Sequence, residues 1–152
     1  MRIGLISDTH GLLRPETLDF LAGSDHIVHG GDIGGPDILE RLAAIAPLTV
    51  VRGNNDTAPW ARAIPETARV DFGRVALYAI HDLKQLAIDP RAAGVRVVVS
   101  GHSHRPACVE RGGVIFVNPG SAGRRRFSLP IAAAELRIDG DTVAAHLVTL
   151  MA

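Results

Sequence analysis

Seven Asp, Asn and His side chains directly follow short apolar runs of the sequence, a position that often carries ligands in α/β proteins. They are Asp8, His10, Asp32, Asn54, His81, His102 and His104. Carboxylate, amide and imidazole ligands together suit Mn²⁺, Fe or Zn²⁺ better than Mg²⁺ or Ca²⁺, which prefer oxygen ligands alone. Seven groups are too many for one tetrahedral ion, so we predict two divalent transition-metal ions, with Mn²⁺ favoured and Ni²⁺, Zn²⁺ or Fe as alternatives.

Two such ions would make the site suitable for phosphoester hydrolysis. A metal pair about 3.5–4 Å apart stabilises both the attacking and the leaving oxygen of a phosphoryl displacement. A carboxylate between the ions can bridge them. We therefore predict attack on phosphorus by a metal-bridging hydroxide.

Each of these residues also has a structural explanation. A lone Asp after a strand is usually a turn residue or a helix cap, and Asn54-Asn55-Asp56 could form a plain turn. His102 and His104 are the stronger candidates, because two histidines at i and i+2 between Gly101 and Pro106 have few structural uses. Three other histidines fit no ligand pattern and are predicted to be surface or packing residues: His26, His29 and His146.

The elements that must position these residues are short runs rich in β-branched residues. The first third of the chain predicts alternating strands and helices, and therefore a parallel sheet: strands at 3–6, 27–28 and 48–51, helices at 15–22 and 36–46. The remainder predicts a strand at 95–99, a short helix after Asp89-Pro90, and hairpins around Gly73, Gly112-Gly113 and Asp139-Gly140-Asp141. The sequence thus predicts an α/β fold of two packed sheets with helices outside, in a single domain over residues 1–152.

The composition is that of a soluble globular protein, with 47% hydrophobic and 21% charged residues. Lys+Arg and Asp+Glu both number 16, so no overall field favours long nucleic acid or an anionic membrane as partner. Cys108 is the sole cysteine, the N-terminus lacks a signal-peptide pattern, and no apolar stretch reaches the roughly 20 residues that span a bilayer. We expect a cytoplasmic protein that acts on a small phosphoester; a homo-oligomer is left open.

The motifs occur in the order of a known signature: Asp8-x-His10, Gly31-Asp32, Gly53-Asn54, His81 and Gly101-His102-Ser103-His104. From residue 3 to about residue 126 the chain resembles the calcineurin-like metallophosphoesterase superfamily. Its size and Asn118-Pro119-Gly120-Ser121 resemble the small prokaryotic phosphodiesterase branch. The resemblance implies a four-layer α-β-β-α sandwich of two mostly mixed sheets. It also implies a first metal held by Asp8, His10, Asp32 and His104, with Asp32 bridging to a second metal held by Asn54, His81 and His102.

Two positions depart from the pattern of the superfamily. Asn55 lies where many members have a histidine that assists the leaving group, although small prokaryotic relatives commonly lack it too. Asp82 lies where relatives often have glycine, which predicts an altered loop or repulsion of an anionic substrate. The candidate catalytic residues are Asp32, Asn54, Asn55 and Asp56. The candidate substrate-binding residues are Asn55, Ser121 and Arg124, the last from the run Arg124-Arg125-Arg126, whose planar guanidinium groups suit phosphate.

Three functions fit these observations. The favoured one is a two-metal-dependent phosphodiesterase of small phosphodiesters. A phosphomonoesterase acting on nucleotides or sugar phosphates is the first alternative. The second is a non-catalytic scaffold, because the retromer subunit of this fold is similar and is regarded mainly as a protein-binding module. The complete set of ligand residues favours an enzyme over a scaffold.

Overall fold

A computed structural model describes residues 1–152, with ten strands and two α-helices. The strands are β1 Arg2–Ile6, β2 His26–His29, β3 Leu48–Val50, β4 Thr67–Phe72, β5 Val75–Ile80, β6 Val95–Val99, β7 Ala107–Arg111, β8 Val114–Asn118, β9 Ile131–Asp139 and β10 Thr142–Met151. The helices are α1 Pro15–Leu21 and α2 Pro36–Ala43, with 3₁₀ helices at Pro59–Ala61 and Leu83–Gln85. Neither α-helix, of seven and eight residues, is long or apolar enough to cross a membrane.

The strands form two mixed sheets of five strands each. The first has the order β10-β9-β1-β2-β3, in which β1, β2 and β3 are parallel and β9 and β10 are antiparallel. The second has the order β4-β5-β6-β8-β7, with β5, β6 and β8 parallel between antiparallel edges. The parallel first third and the three hairpins predicted from the sequence are confirmed. The second sheet contains more parallel pairing than the hairpin signals indicated, because β6 and β8 join it through crossovers.

The two sheets pack face to face around an aliphatic core. Ile3 and Leu5 of β1 face Leu77 of β5 and Val97 and Val99 of β6, and all five side chains are fully buried. The alternate residues of the first sheet face the other way. Its outer face packs on the two α-helices through a second buried cluster that includes Ile6, Ile27, Leu21, Ile38 and Leu42. The period-2 pattern of the strands therefore separates two cores.

The outer face of the second sheet is covered differently. Leu86 and Ile88 pack on Ile80, Val95 and Val98 from the segment between β5 and β6. The short helix predicted after Asp89-Pro90 is wrong, because this segment contains only a 3₁₀ turn and a closed turn over residues 90–94. Gly94 has a φ of +75°, which ends the turn so that the chain enters β6 one residue later. This fourth layer is thus mainly an ordered loop.

Candidate metal centre

The loops after β1 and β2 bring two carboxylates together. The parallel pairing of these strands continues past their ends through hydrogen bonds from Asp8 N to Gly31 O (3.0 Å) and from His10 N to Asp32 O (2.9 Å). The side chains of Asp8 and Asp32 are 0% and 3% exposed. Two acids buried this deeply require cations or several hydrogen bonds nearby.

Three imidazoles converge on these carboxylates. Asp8 Oδ1 lies 3.4 Å from His104 Nε2, 3.7 Å from His10 Nε2 and 3.9 Å from His81 Nε2. Asp32 Oδ2 lies 3.3 Å from His81 Nε2 and 3.6 Å from His10 Nε2. Five of the seven predicted ligands, from four separate loops, therefore meet at one point.

Several atoms at this point have no hydrogen-bond partner. Asp8 Oδ1, His10 Nε2 and His81 Nε2 are buried and unpaired. An unsatisfied buried polar atom typically costs about 1–3 kcal/mol, so such atoms in one place indicate a missing partner. Their ligand atoms form two sets whose members lie within 4.8 Å of one another: Asp8, His10, His104 and Asp8, Asp32, His81. This donor set fits a pair of divalent cations.

His81 has its ring orientation fixed from behind. Its Nδ1 lies 2.6 Å from the carbonyl oxygen of Gly30 and donates to it, so the lone pair of Nε2 faces the carboxylates. Metal-binding histidines usually make such a second hydrogen bond.

Burial alone would lower the pKa of His81, but the Asp32 and Asp8 carboxylates outweigh it and raise this pKa. Burial likewise opposes ionisation of Asp8, yet the neighbouring imidazoles of His10, His104 and His81 bring its pKa well below the usual range.

The backbone at these ligands is unusual. A non-glycine residue with positive φ is uncommon, and such residues cluster at functional sites. The chain has six of them, and five are predicted ligands, with φ between 46° and 71°: Asp8, His10, Asp32, His102 and His104. In Asp8, His10, Asp32 and His104 this left-handed conformation accompanies side chains that meet at the common point. Glycines make room for these turns, since a Cβ on Gly53 would collide with Asp32 and one on Gly101 would lie 2.6 Å from Asp8 Oδ2.

The two remaining predicted ligands, Asn54 and His102, lie at the rim and are exposed. His102 Nδ1 lies 3.1 Å from Asn54 Oδ1, and the His102 ring is edge-on to that of His81 with centroids 5.3 Å apart. The backbone N–H of His102 donates to Asp8 Oδ2 at 3.1 Å. The rim residues therefore adjoin the carboxylate cluster but have few contacts of their own.

Asp56, a candidate catalytic residue in the sequence, has another role in the structure. Its two carboxylate oxygens accept four backbone hydrogen bonds, from Asp32 N (3.0 Å), Ile33 N (2.9 Å), Gly34 N (3.3 Å) and Gly53 N (2.9 Å). The side chain is buried and has no free edge towards the ligand cluster. Asp56 ties the loop after β2 to the loop after β3, and the catalytic prediction for it is wrong because backbone amides occupy both its oxygens.

Asn55 also contacts Asp32 in this structure. Its backbone N–H donates to Asp32 Oδ1 at 2.9 Å, and its side-chain amide donates to Asp32 Oδ2 at 3.1 Å. Asn55 therefore orients the carboxylate that the superfamily pattern makes the bridging ligand. Asn55 is exposed, and its contact with a substrate stays a prediction.

The other two predicted substrate contacts differ from each other. Ser121 is buried, with its hydroxyl 3.1 Å from the Asp8 carbonyl oxygen and 2.9 Å from that of Arg124. It cannot reach a substrate, so the binding role predicted for it is wrong; it anchors the backbone of Asp8. Arg124 is exposed, and its Nε donates to the carbonyl oxygen of His10 at 3.3 Å. Arg125 instead donates to the Leu129 carbonyl, away from the ligands.

His29 is a positioning residue that the sequence did not distinguish from other packing histidines. It is fully buried; its Nδ1 accepts from Gly31 N at 3.0 Å and its Nε2 lies 2.9 Å from Thr9 Oγ1. Thr9 in turn donates to Ile33 O at 2.8 Å, so this chain of hydrogen bonds joins both carboxylate-bearing loops. Burial lowers the pKa of His29 to about 4 and keeps the ring neutral. Its position at the end of β2 did not reveal this role in the sequence, because its partner Thr9 lies 20 residues earlier in the chain.

A polar cavity of about 290 Å³ opens beside the cluster. Asn54, His81 and His102 line one part of it, and Asp82 and the ion pair of Arg52 and Glu66, at 2.9 Å, line another. The cavity has the size for a small polar group next to the candidate metal ligands. Arg52 is the one cationic side chain that lines this cavity.

Comparison with known proteins identifies related chains. The family model of the calcineurin-like phosphoesterase superfamily domain matches residues 1–141. A probable metallophosphoesterase of Methanothermobacter thermautotrophicus is 35% identical, over 97% of this chain and 92% of its own length. Phosphodiesterase YfcE of Escherichia coli is 30% identical, over 80% of this chain and 79% of its own. The crystal structure of Entamoeba histolytica Vps29 complexed with Zn²⁺ superposes with a TM-score of 0.78 and 23% identity, covering 99% of each chain.

Proposed function

This chain belongs to the calcineurin-like phosphoesterase superfamily, and from that premise we propose that it is a two-metal-dependent phosphodiesterase of small phosphodiesters. One observation carries the proposal: the unpaired, buried ligand atoms of Asp8, His10 and His81 converge on a single point. A buried cluster of this kind is costly without cations and has no structural use that the fold requires. The phosphodiesterase named among the relatives supports the substrate class.

The candidate ligands divide between two ions, which supply charge for the phosphoryl group and activation of water when bound. Asp8, His10 and His104 would hold one, and Asn54, His81 and His102 the other, with Asp32 between them. Mn²⁺ is favoured over Mg²⁺ because four of the seven ligands are imidazoles. The remaining residues act on this set: Asn55 orients Asp32, and Asp56 fixes the loops on which Asp32 and Asn54 lie.

The chain offers no general acid on the loop after β3. Asn55 has no transferable proton, and both oxygens of Asp56 accept backbone hydrogen bonds. General acid catalysis typically contributes about 10²–10⁴-fold, so its absence penalises poor leaving groups. We therefore propose that diesters with an acidic alcohol or phenol as the leaving group are the better substrates.

Two alternatives share the same ligand set. A metal-binding site by itself does not separate an enzyme from a scaffold, since a Vps29 structure of this fold contains Zn²⁺. Relatives at 30–35% identity are named phosphoesterases, however, and they are closer to this chain than the Vps29 structure. In the polar cavity Arg52 is paired with Glu66, and Asp82 adds a second carboxylate, so this cavity itself has no free cation for the dianion of a phosphomonoester. A diester monoanion places a smaller demand on the site.

A substrate panel tests this proposal. The protein is stripped with a chelator, reloaded with Mn²⁺, Ni²⁺, Zn²⁺ or Mg²⁺, and assayed on bis(p-nitrophenyl) phosphate and on p-nitrophenyl phosphate. The proposal expects turnover that requires metal, is higher with Mn²⁺ than with Mg²⁺, and favours the diester. A preference for the monoester would establish the phosphomonoesterase instead, and metal binding without turnover of either compound would support the scaffold.

A further inference from the structure

A second and larger cavity, of about 550 Å³, adjoins the polar one. The two cavities share Asp82 and His102 as a common wall. This volume falls within the range of ligand sites, about 300–1,000 Å³. Nothing in the proposed hydrolysis uses this second cavity, which we call the apolar groove. It is formed by the 3₁₀ turn after β5, the loop with His102, and the hairpin β7–β8.

The side walls of the groove are apolar and open to solvent. Leu83 and Val109 are 38% and 45% exposed, and they are two of the five exposed large hydrophobic residues in the chain. Phe116 is half-buried and contributes an aromatic ring. These three side chains come from separate elements, so their common exposure on one groove indicates a surface suited to an apolar group.

The groove is also positively charged. Lys84, Arg105 and Arg111 line it, and none of them forms an ion pair. The Arg111 guanidinium lies 5.6 Å from the centroid of the Phe116 ring, a cation–π arrangement. The single acid of the lining, Asp82, accepts a hydrogen bond from Lys84 N at 3.1 Å and caps the 3₁₀ turn. The charge therefore complements an anionic ligand.

The shared wall is anchored. The side-chain amide of Asn118 donates to Gly101 O at 2.9 Å and to Ser103 Oγ at 3.0 Å, which ties the loop with His102 to β8. The groove and the candidate metal ligands therefore have a fixed relative position. A ligand whose phosphoryl group reaches His102 has the apolar walls on one side and the polar cavity on the other.

We propose that the apolar groove is a subsite for an aromatic ester group of the substrate, whose other substituent lies in the polar cavity. This inference rests on the proposed function, and it narrows the substrate class to asymmetric diesters with one aromatic and one small polar group. An aromatic group is favoured over an aliphatic chain because Phe116 and His102 offer ring contacts, and three cations surround the groove.

Two phosphonates separate the groove from the chemistry, because their C–P bond resists hydrolysis. Phenylphosphonate and methylphosphonate are titrated into the Mn²⁺-loaded protein by calorimetry. They differ only in the ring, whose burial in an open groove is expected to tighten binding by about tenfold. Equal affinities, or no binding of phenylphosphonate, would overturn the subsite.

Neutral substitutions locate the effect. Val109→Asn is expected to remove most of the tenfold preference and to leave methylphosphonate binding unchanged; Leu83→Asn on another wall repeats the test independently. Leu147→Asn is the matched control, since Leu147 is 41% exposed on β10, outside the groove. An equal loss in the control, or no loss in either groove variant, would also contradict the subsite.

Turnover of bis(p-nitrophenyl) phosphate by the same samples keeps the two proposals apart. If phenylphosphonate binds more tightly than methylphosphonate in a manner that depends on Val109, but no diester is hydrolysed, the proposed hydrolase activity is refuted and the aromatic subsite is retained. Turnover without any phosphonate preference would refute the groove alone.

Discussion

Asp8 and Asp32 lie in a buried half of the candidate metal centre, with His10, His81 and His104, whereas Asn54 and His102 form an exposed half at its rim. The buried half is supported from behind by groups that do not bind metal. His81 is fixed by Gly30, Asp32 by Asn55, and the loops by Asp56. The geometry of this half is therefore set by the fold before any ion binds.

The side chains of the exposed half lack such support, although Asn118 anchors the backbone of the loop with His102. The side chains of Asn54 and His102 are within hydrogen-bond distance of each other, with 3.1 Å between Asn54 Oδ1 and His102 Nδ1. Both of these atoms are potential metal ligands. The ion proposed to bind His81, Asn54 and His102 would take one ligand from the buried half and would have to order two solvent-exposed side chains, which costs conformational entropy. We therefore expect the two ions to bind with unequal affinity, and the ion whose ligands are preorganised to bind more tightly.

The largest effect is expected where the two halves meet. Asp32→Ala should lower turnover more than about 10³-fold, because this carboxylate lies between both sets of imidazoles and stabilises charge on each ion. Turnover and bound metal are measured together, with circular dichroism as the check on folding. Near-normal turnover with two bound ions would show that Asp32 does not join the halves.

A pair of histidine variants tests the comparison itself. His104→Ala removes a buried ligand and should lower the affinity for the more tightly bound ion. This loss should be at least about tenfold greater than the loss that His102→Ala causes at the same ion. His102→Ala should act mainly on the weaker metal. Metal titration of both variants under one set of conditions gives the answer, and equal losses from the two substitutions would erase the distinction between the halves.

Asp56→Asn examines the support rather than the ligands. It replaces one acceptor oxygen of Asp56 by an amide, so some of the four backbone N–H groups lose their partner. Loss of support behind metal ligands typically costs roughly 10–100-fold in metal affinity or activity. The circular dichroism spectrum should stay close to that of the parent. Unchanged affinity for both ions would mean that the loops are held without Asp56.

The smallest expected effect is that of His29 on the pH dependence of the free energy of unfolding. The pKa of His29 is about 4 in the folded chain, against an ordinary histidine value of 6.5, so between these values the unfolded chain binds the extra proton. The contribution of His29 to the free energy of unfolding is therefore fully present above pH 6.5. It decreases as the pH falls towards 4, by up to about 1.4 kcal/mol per pH unit. Urea unfolding of chelator-treated protein should show a shallower dependence for His29→Gln. Parallel curves for parent and variant would contradict this role.

Much of the buried half was predictable because its signals are local. Asp8, His10, Asp32 and His81 directly follow buried strands, and parallel strands place such residues at one edge of a sheet. The strands themselves followed from short β-branched runs. The prediction of a sandwich of two mixed sheets was correct as well. The prediction of a helix between β5 and β6 was wrong, since Gly94 closes a turn there.

The support residues were not predictable from one sequence. Asp56, Ser121 and His29 are polar residue types common in active sites, and only their hydrogen-bond partners reveal that each binds backbone or a buried hydroxyl. Those partners are up to 113 residues distant in the chain. The apolar groove was hidden for the same reason, because Leu83, Val109 and Phe116 form no sequence motif and meet only in the fold.

Calorimetric titration of Mn²⁺ into the chelator-stripped protein measures how many ions bind and how tightly each is held. We expect two ions per chain, with the first bound at least about tenfold more tightly than the second, since preorganised ligands need less ordering. His104→Ala should then remove the tighter phase and His102→Ala the weaker one. Binding of a single ion, or of none, would contradict a two-metal centre built from these residues.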